Sequence, residues 1–110
     1  MSYNQGDIIL VPFPFSDLSV SKTRPAIVIS NKLVNKTQDV IVAQITTSLR
    51  NDAYSFELKE SDLSLSLRRT SEVRCHKLAT IEKTKIFKPI SKLDPIVLNT
   101  LLTKIKSFLS

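Results

Sequence analysis

With 110 residues, 42% of them hydrophobic and 24% charged, the chain has the length for one domain with one modest core and is too apolar for a disordered segment. No apolar run approaches the ~20 residues that span a bilayer, and the start MSYNQGD lacks a basic stretch followed by an apolar one, so neither a membrane span nor a leader is expected. The net charge of +6 favours polyanionic partners, leaving nucleic acid, an acidic protein segment and an anionic surface all open.

Gly6-Asp7 opens a strand-like run from Ile8 to Phe13, which should end or lie at a sheet edge where Pro12 and Pro14 remove backbone donors. The polar stretch SDLSVSKT, Ser16 to Thr23, reads as an exposed loop. Ala26 to Ile29 is a short apolar run, expected to be a strand covered on both sides. Asn31 to Gln38 reads as a polar connection, and Asp39 to Ile45 as a third strand running into the hydroxyl cluster Thr46-Thr47-Ser48.

Tyr54, Phe56 and Leu58 alternate with polar residues, the pattern of a strand buried on one face. Leu63, Leu65 and Leu67 fit an irregular loop or a short helical turn, and Glu72 to Ile81 is strand material. Asp94 is a good N-cap and Pro95 suits the first helical position. Leu98, Leu101, Leu102, Ile105 and Leu109 follow at helical spacing, with Lys104 and Lys106 placed well for the helix dipole. Short strands, polar turns and one packed terminal helix predict a small, curled antiparallel sheet in one domain covering residues 1–110.

Much chemistry is excluded. Gly6 is the only glycine, so there is no glycine-rich phosphate loop. Cys75 is the only cysteine, which rules out an internal disulfide and suits a reducing cytoplasm. Its neighbour His76 would point to the opposite face of a strand, so the two should form neither a zinc set nor a nucleophile pair; Cys75 should pack in the core and His76 lie exposed or hydrogen-bonded. An oxygen-ligated magnesium site stays open, although Asp17, Asp39, Asp52 and Asp62 form no recognisable spacing, and Arg68-Arg69 reads as solvated loop charge ahead of a phosphate contact.

Two features remain: Lys22-Thr23-Arg24 before the buried strand and Thr46-Thr47-Ser48 after the next one. If those strands are antiparallel neighbours, Arg24 and Thr46 meet at one rim, and a guanidinium fork beside a hydroxyl makes a phosphate cradle. On spacing alone Thr47 and Ser48 read as turn-capping hydroxyls, and Arg24 is as well explained by a strand-edge charge as by a phosphate ligand.

The pattern Gly6-Asp7-Ile8-Ile9, Val11-Pro12-Phe13-Pro14-Phe15-Ser16-Asp17-Leu18 and Lys22-Thr23-Arg24-Pro25-Ala26-Ile27-Val28 resembles the N-terminal signature of the PemK/MazF-like toxins of bacterial toxin–antitoxin systems. The similarity continues through Ile41 to Thr47, Ser71 to Arg74, Lys77 to Ile81 and Ile90 to Leu93, and so covers nearly the whole chain in order. The resemblance implies a mainly β fold with peripheral helices, a small SH3-like antiparallel β-barrel with a C-terminal amphipathic helix, usually as a homodimer in the cytoplasm. It implies metal-independent, sequence-selective cleavage of single-stranded RNA with no cofactor, and an acidic antitoxin as partner.

Carried onto this chain, Arg24 and Thr46 match the catalytic arginine and threonine. Asp17, Lys22 and Thr23 fall in the loop over the RNA, Thr47 and Ser48 extend the hydroxyl cluster, and Arg74 matches a basic position that lines the groove or serves structure. Relatives commonly carry glycines in the loop matching Ser16 to Thr23 and near Ser91, and some use a glutamate ahead of the arginine. This chain has neither glycine, and Asp17 is the only carboxylate in that loop. The alternatives are a non-catalytic relative that binds RNA or antitoxin, and a gyrase-targeting toxin on the same fold.

Overall fold

The computed structural model describes residues 2–12 and 23–110, and the expectations for Phe13 to Lys22, including Asp17 and Lys22, lie outside the described residues. In chain order the elements are β1 (Asp7–Pro12), β2 (Thr23–Val28), α1 (Lys32–Asn35), β3 (Asp39–Thr46), β4 (Ser55–Leu58), β5 (Ser71–Glu82), β6 (Lys88–Lys92) and α2 (Pro95–Ser107). All six strands join one antiparallel, curled sheet in the order β4-β5-β3-β2-β1-β6, a half-barrel with a C-terminal helix that agrees with the SH3-like expectation. No helix of the described residues is long and apolar enough to cross a membrane.

Each sheet face carries its own apolar cluster. On one, Ile8, Ile27, Ala43, Ile45, Val73 and Cys75 pack under α2 through Leu101 and Ile105. On the other, Ile9, Val11, Ala26, Val28, Val40, Val42 and Ile81 close around Tyr3. Residues of successive parity serve opposite faces, and for this reason Ala26, Ile27 and Val28 are all fully buried, as a strand covered on both sides requires. Helix α2 starts where Asp94 accepts hydrogen bonds from the N–H groups of Ile96 (2.9 Å) and Val97 (3.3 Å), with Pro95 in the first turn. Lys104 Nζ donates to the Ser55 carbonyl at 2.6 Å and fastens the helix to β4. Leu109 lies past the helix end and is exposed, contrary to the spacing reading.

Three departures from that reading have local causes. The connection after β2 contains the single helical turn α1, because Asn31 accepts from the Leu33 N–H and buried Asn35 donates back to the Ser30 carbonyl. Lys88–Lys92 forms an edge strand despite Pro89, which sits where the β1–β6 register shifts, a place where a missing N–H is tolerated. Thr23 belongs to β2, paired with Pro12, and not to the loop before it. Near the same edge, the Ser91 hydroxyl accepts from the Leu65 N–H (3.1 Å) and donates to the Leu65 carbonyl (2.7 Å), so a serine side chain is built into the packing.

Gly6 has φ +95, and a Cβ there would meet Leu98 Cδ2 at 3.0 Å. Gly6→Ala should therefore destabilise the fold by roughly 1–3 kcal/mol, from the left-handed backbone and the crowding of α2 together. A thermal melt should place the variant at least ~4 °C below the parent chain.

Candidate phosphodiester site

The site grows from the end of the β2–β3 pairing. Those strands pair as Ala26↔Gln44, Ile27↔Ala43 and Val28↔Val42, and continuing the register by two residues sets Arg24 opposite Thr46. The pairing stops at Ala26, where Pro25 has no N–H with which to extend it. Past this point the paired face runs out of apolar side chains, and a cavity of about 170 Å³ opens. Arg24, Thr46, Ser48 and Arg74 all line it, as do Gln44, Arg50 and Lys77. Thr23 and Thr47 are exposed and lie outside this lining.

Thr46 is held in a useful orientation. Its Oγ1 accepts from the Ser48 N–H at 3.0 Å, an arrangement that leaves the hydroxyl proton available to donate into the cavity. Arg24 is exposed, and its fork reaches the cavity from β2.

Arg74 has a different employment. Its Nη1 donates to Asp52 Oδ1 (3.0 Å), Ser55 Oγ (2.8 Å) and Glu72 Oε2 (2.7 Å), and its Nη2 donates to Asp52 Oδ2 (3.0 Å). Two carboxylates thus offset its charge, so among the two roles open to Arg74 the structural one is filled. Glu72 is 1% exposed, and its Oε1 also accepts from the N–H groups of Arg50 (3.1 Å) and Asn51 (3.3 Å). Asn51 takes φ 48, a left-handed turn that asparagine tolerates. The carboxylate of Glu72 in this way sets the segment that presents Ser48 and Arg50 to the cavity.

Burial pushes the Glu72 carboxyl up, yet hydrogen bonds from Ser55, Arg74 and the two backbone N–H groups outweigh it and hold the group below its ordinary value. Asp52 is held well below the usual carboxylate range, chiefly by its hydrogen bonds from Arg74. Those same bonds to Asp52 raise the Arg74 guanidinium.

Strand β5 contributes through an irregularity. Leu78 pairs with Ala43, but Arg74 pairs with Gln44, so Cys75, His76 and Lys77 have no partner on β3. The bulge sends Cys75 into the core, where burial pushes its thiol up to about 11, and brings Lys77 to the cavity. His76 is exposed and stacks on Tyr54 at 4.4 Å between ring centroids; burial and the charges of Arg74 and Lys77 lower its pKa. As expected, Cys75 and His76 face apart.

Sequence reasoning missed Gln44, Arg50 and Lys77. Gln44 had a signal, being the one polar side chain inside Val40 to Ile45. Lys77 had none, since strict alternation from Val73 and Cys75 would turn it toward the core. Among the described residues no group of three or more His, Cys, Asp or Glu side chains is arranged to hold a metal.

A carboxyl whose pKa is lower in the folded than in the unfolded chain supplies stability that is present above its unfolded pKa and is lost as the pH falls through the folded value. Glu72 and Asp52 both act in this sense, so the melting temperature should fall as the pH drops below about 4, and Glu72→Gln should flatten that slope. Glu72→Ala should cost roughly 1–3 kcal/mol at neutral pH, because it leaves the Arg50 and Asn51 N–H groups without their acceptor and Arg74 with Asp52 as its one remaining carboxylate. Denaturant unfolding at pH 7 and pH 3 checks both.

Residues 4–109 match the family described as PemK-like, MazF-like toxin of type II toxin–antitoxin system. No curated protein matches the chain significantly. Solved structures share the fold. A mycobacterial endoribonuclease in complex with its cognate antitoxin is 21% identical with a TM-score of 0.79, covering 98% of this chain and 95% of that one. The Mycobacterium tuberculosis toxin MazF-mt6 is 22% identical with a TM-score of 0.73, covering 94% and 95%. MazF from Deinococcus radiodurans is 17% identical with a TM-score of 0.78, covering 99% and 97%. At these identities the likeness speaks for the fold, and the family match over nearly the whole length speaks for kinship: the chain belongs to the PemK-like, MazF-like toxins of type II toxin–antitoxin systems.

Proposed function

We propose that this toxin is a metal-independent, sequence-selective endoribonuclease of single-stranded RNA, acting as a homodimer in the bacterial cytoplasm and restrained by an acidic antitoxin. The observation that carries the reading is the β2–β3 register, which sets Arg24 and Thr46 opposite each other on the wall of one cationic cavity. RNA brings its own nucleophile. The 2′-oxygen forms a bond to phosphorus and gives up its proton, the bond from phosphorus to the 5′-oxygen breaks, and that oxygen takes a proton. The products are a 2′,3′-cyclic phosphate and a 5′-hydroxyl.

Arg24 aims fixed donors at the non-bridging oxygens, where negative charge accumulates in the transition state. The Thr46 hydroxyl, oriented by the Ser48 N–H, donates to the same phosphate and keeps it in register. Arg50 and Lys77 add positive charge to the walls and draw the strand in. Together these cations supply the neutralisation that a divalent ion provides elsewhere. Thr23, Thr47, Asp17 and Lys22 are assigned to flanking RNA contacts. An acidic antitoxin segment suits the same groove, because it offers carboxylates where RNA offers phosphates.

Long single-stranded RNA incubated with the protein in excess chelator should be cut, leaving 5′-hydroxyl ends. Arg24→Ala should lower kcat by about 10²–10³-fold with an unchanged melting temperature, since the side chain is exposed. Turnover undiminished in that variant would refute the assignment of Arg24, and RNA that is bound but left whole would identify a binding module instead. Loss of cutting on chelation would overturn metal independence.

A further inference from the structure

The floor of the cavity holds a side chain whose chemistry the phosphate contacts do not use. Gln44 is 6% exposed, and its carboxamide makes no hydrogen bond to any of the described residues. Among the described residues every fully occluded side-chain N or O has a partner, so the amide of Gln44 must open onto the cavity that it lines. Its neighbour across the β2 ladder is Ala26, too small to cover it. Across the β5 ladder stands Arg74, whose guanidinium is taken up by Asp52, Glu72 and Ser55. A largely desolvated amide without a partner among the described residues is costly unless something else fills that place.

The other lining groups narrow what that something is. Arg24, Arg50, Arg74 and Lys77 only donate, and the Thr46 oxygen is already accepting from Ser48. Among the described residues no carboxylate or imidazole lines the cavity. Beside the hydroxyls of Thr46 and exposed Ser48, which can also donate, the Gln44 carbonyl is the buried acceptor in this donor-rich pocket, on the same face of β3 as Thr46 and about 7 Å along the strand from it. A ligand that presents an anionic oxygen to Arg24 and Thr46, and next to it a hydroxyl needing an acceptor, matches both.

We infer that Gln44 binds the ribose 2′-hydroxyl vicinal to the phosphate held by Arg24 and Thr46, and so selects ribose over deoxyribose. This rests on the reading of the cavity as the RNA site. Gln44 takes no proton; it accepts one hydrogen bond and thereby orients the 2′-oxygen toward phosphorus. A deoxy ligand would occupy the same cavity and leave the buried amide unpaired, the condition under which a hydrogen-bonding site discriminates most strongly.

Nucleoside 3′-monophosphates carry both groups and cannot be cut further. Titrating the four ribonucleoside 3′-monophosphates and their 2′-deoxy counterparts against the isotope-labelled protein, followed by NMR at the Gln44 side-chain amide, measures the preference directly. The ribo forms should bind about tenfold more tightly than the deoxy forms and shift that amide. Gln44→Met, of similar length and apolar, should bring the ratio to about one, while Gln44→Glu, which keeps an acceptor, should retain a ribose preference with weaker phosphate binding. Equal affinity for both sugars in the parent chain, no binding of either, or an unchanged ratio in Gln44→Met would overturn the inference. If ribose preference holds while long RNA stays intact, the endoribonuclease reading fails and the role of Gln44 stands; cutting without sugar preference reverses that outcome.

Discussion

One buried carboxylate organises this end of the molecule. Glu72 accepts from Arg74 and Ser55 on one oxygen and from the backbone of Arg50 and Asn51 on the other, so it joins β4, β5 and the segment after β3 at a single point. Removing a carboxylate from water costs several kcal/mol, and the arrangement holds because every available lone pair is met by a donor. Its consequence reaches beyond stability. The segment carrying Ser48 and Arg50 has no regular structure of its own, and the pull of Glu72 on two successive N–H groups decides where it lies.

The cavity follows from two interruptions in an otherwise regular sheet. Pro25 ends the β2–β3 ladder, and the unpaired stretch from Cys75 to Lys77 bends β5 away from β3. Below these points the inner positions of the same face are filled by Val28, Val42 and Ile81, and packing is complete. Above them the inner positions become Arg24, Thr46 and Gln44. A short run of the face thus changes from core to binding surface without any change of element, and the rigid ladder beneath holds the polar groups in place.

Charge in the cavity is divided between structure and function. Arg74 is the most buried of the cations and is offset by Asp52 and Glu72, so it contributes geometry more than potential. Arg24 is exposed and approaches from another strand, which suits a side chain that must meet an anion arriving from solvent. His76 is exposed, stacked on Tyr54 and away from the cavity lining.

Most of the architecture was legible before any coordinates. Alternation and apolar runs located β1 to β5, the Asp94-Pro95 pair located the start of α2, and ordinary antiparallel pairing of neighbours anticipated the meeting of Arg24 and Thr46. Those features are local or nearest-neighbour, and local periodicity records them. The role of Arg74, the arrival of Lys77 and the exposure of Gln44 to a cavity were decided by tertiary structure. Each depends on which residue stands opposite across a ladder, and a three-residue bulge shifts that correspondence in a way no pattern within a single strand reveals.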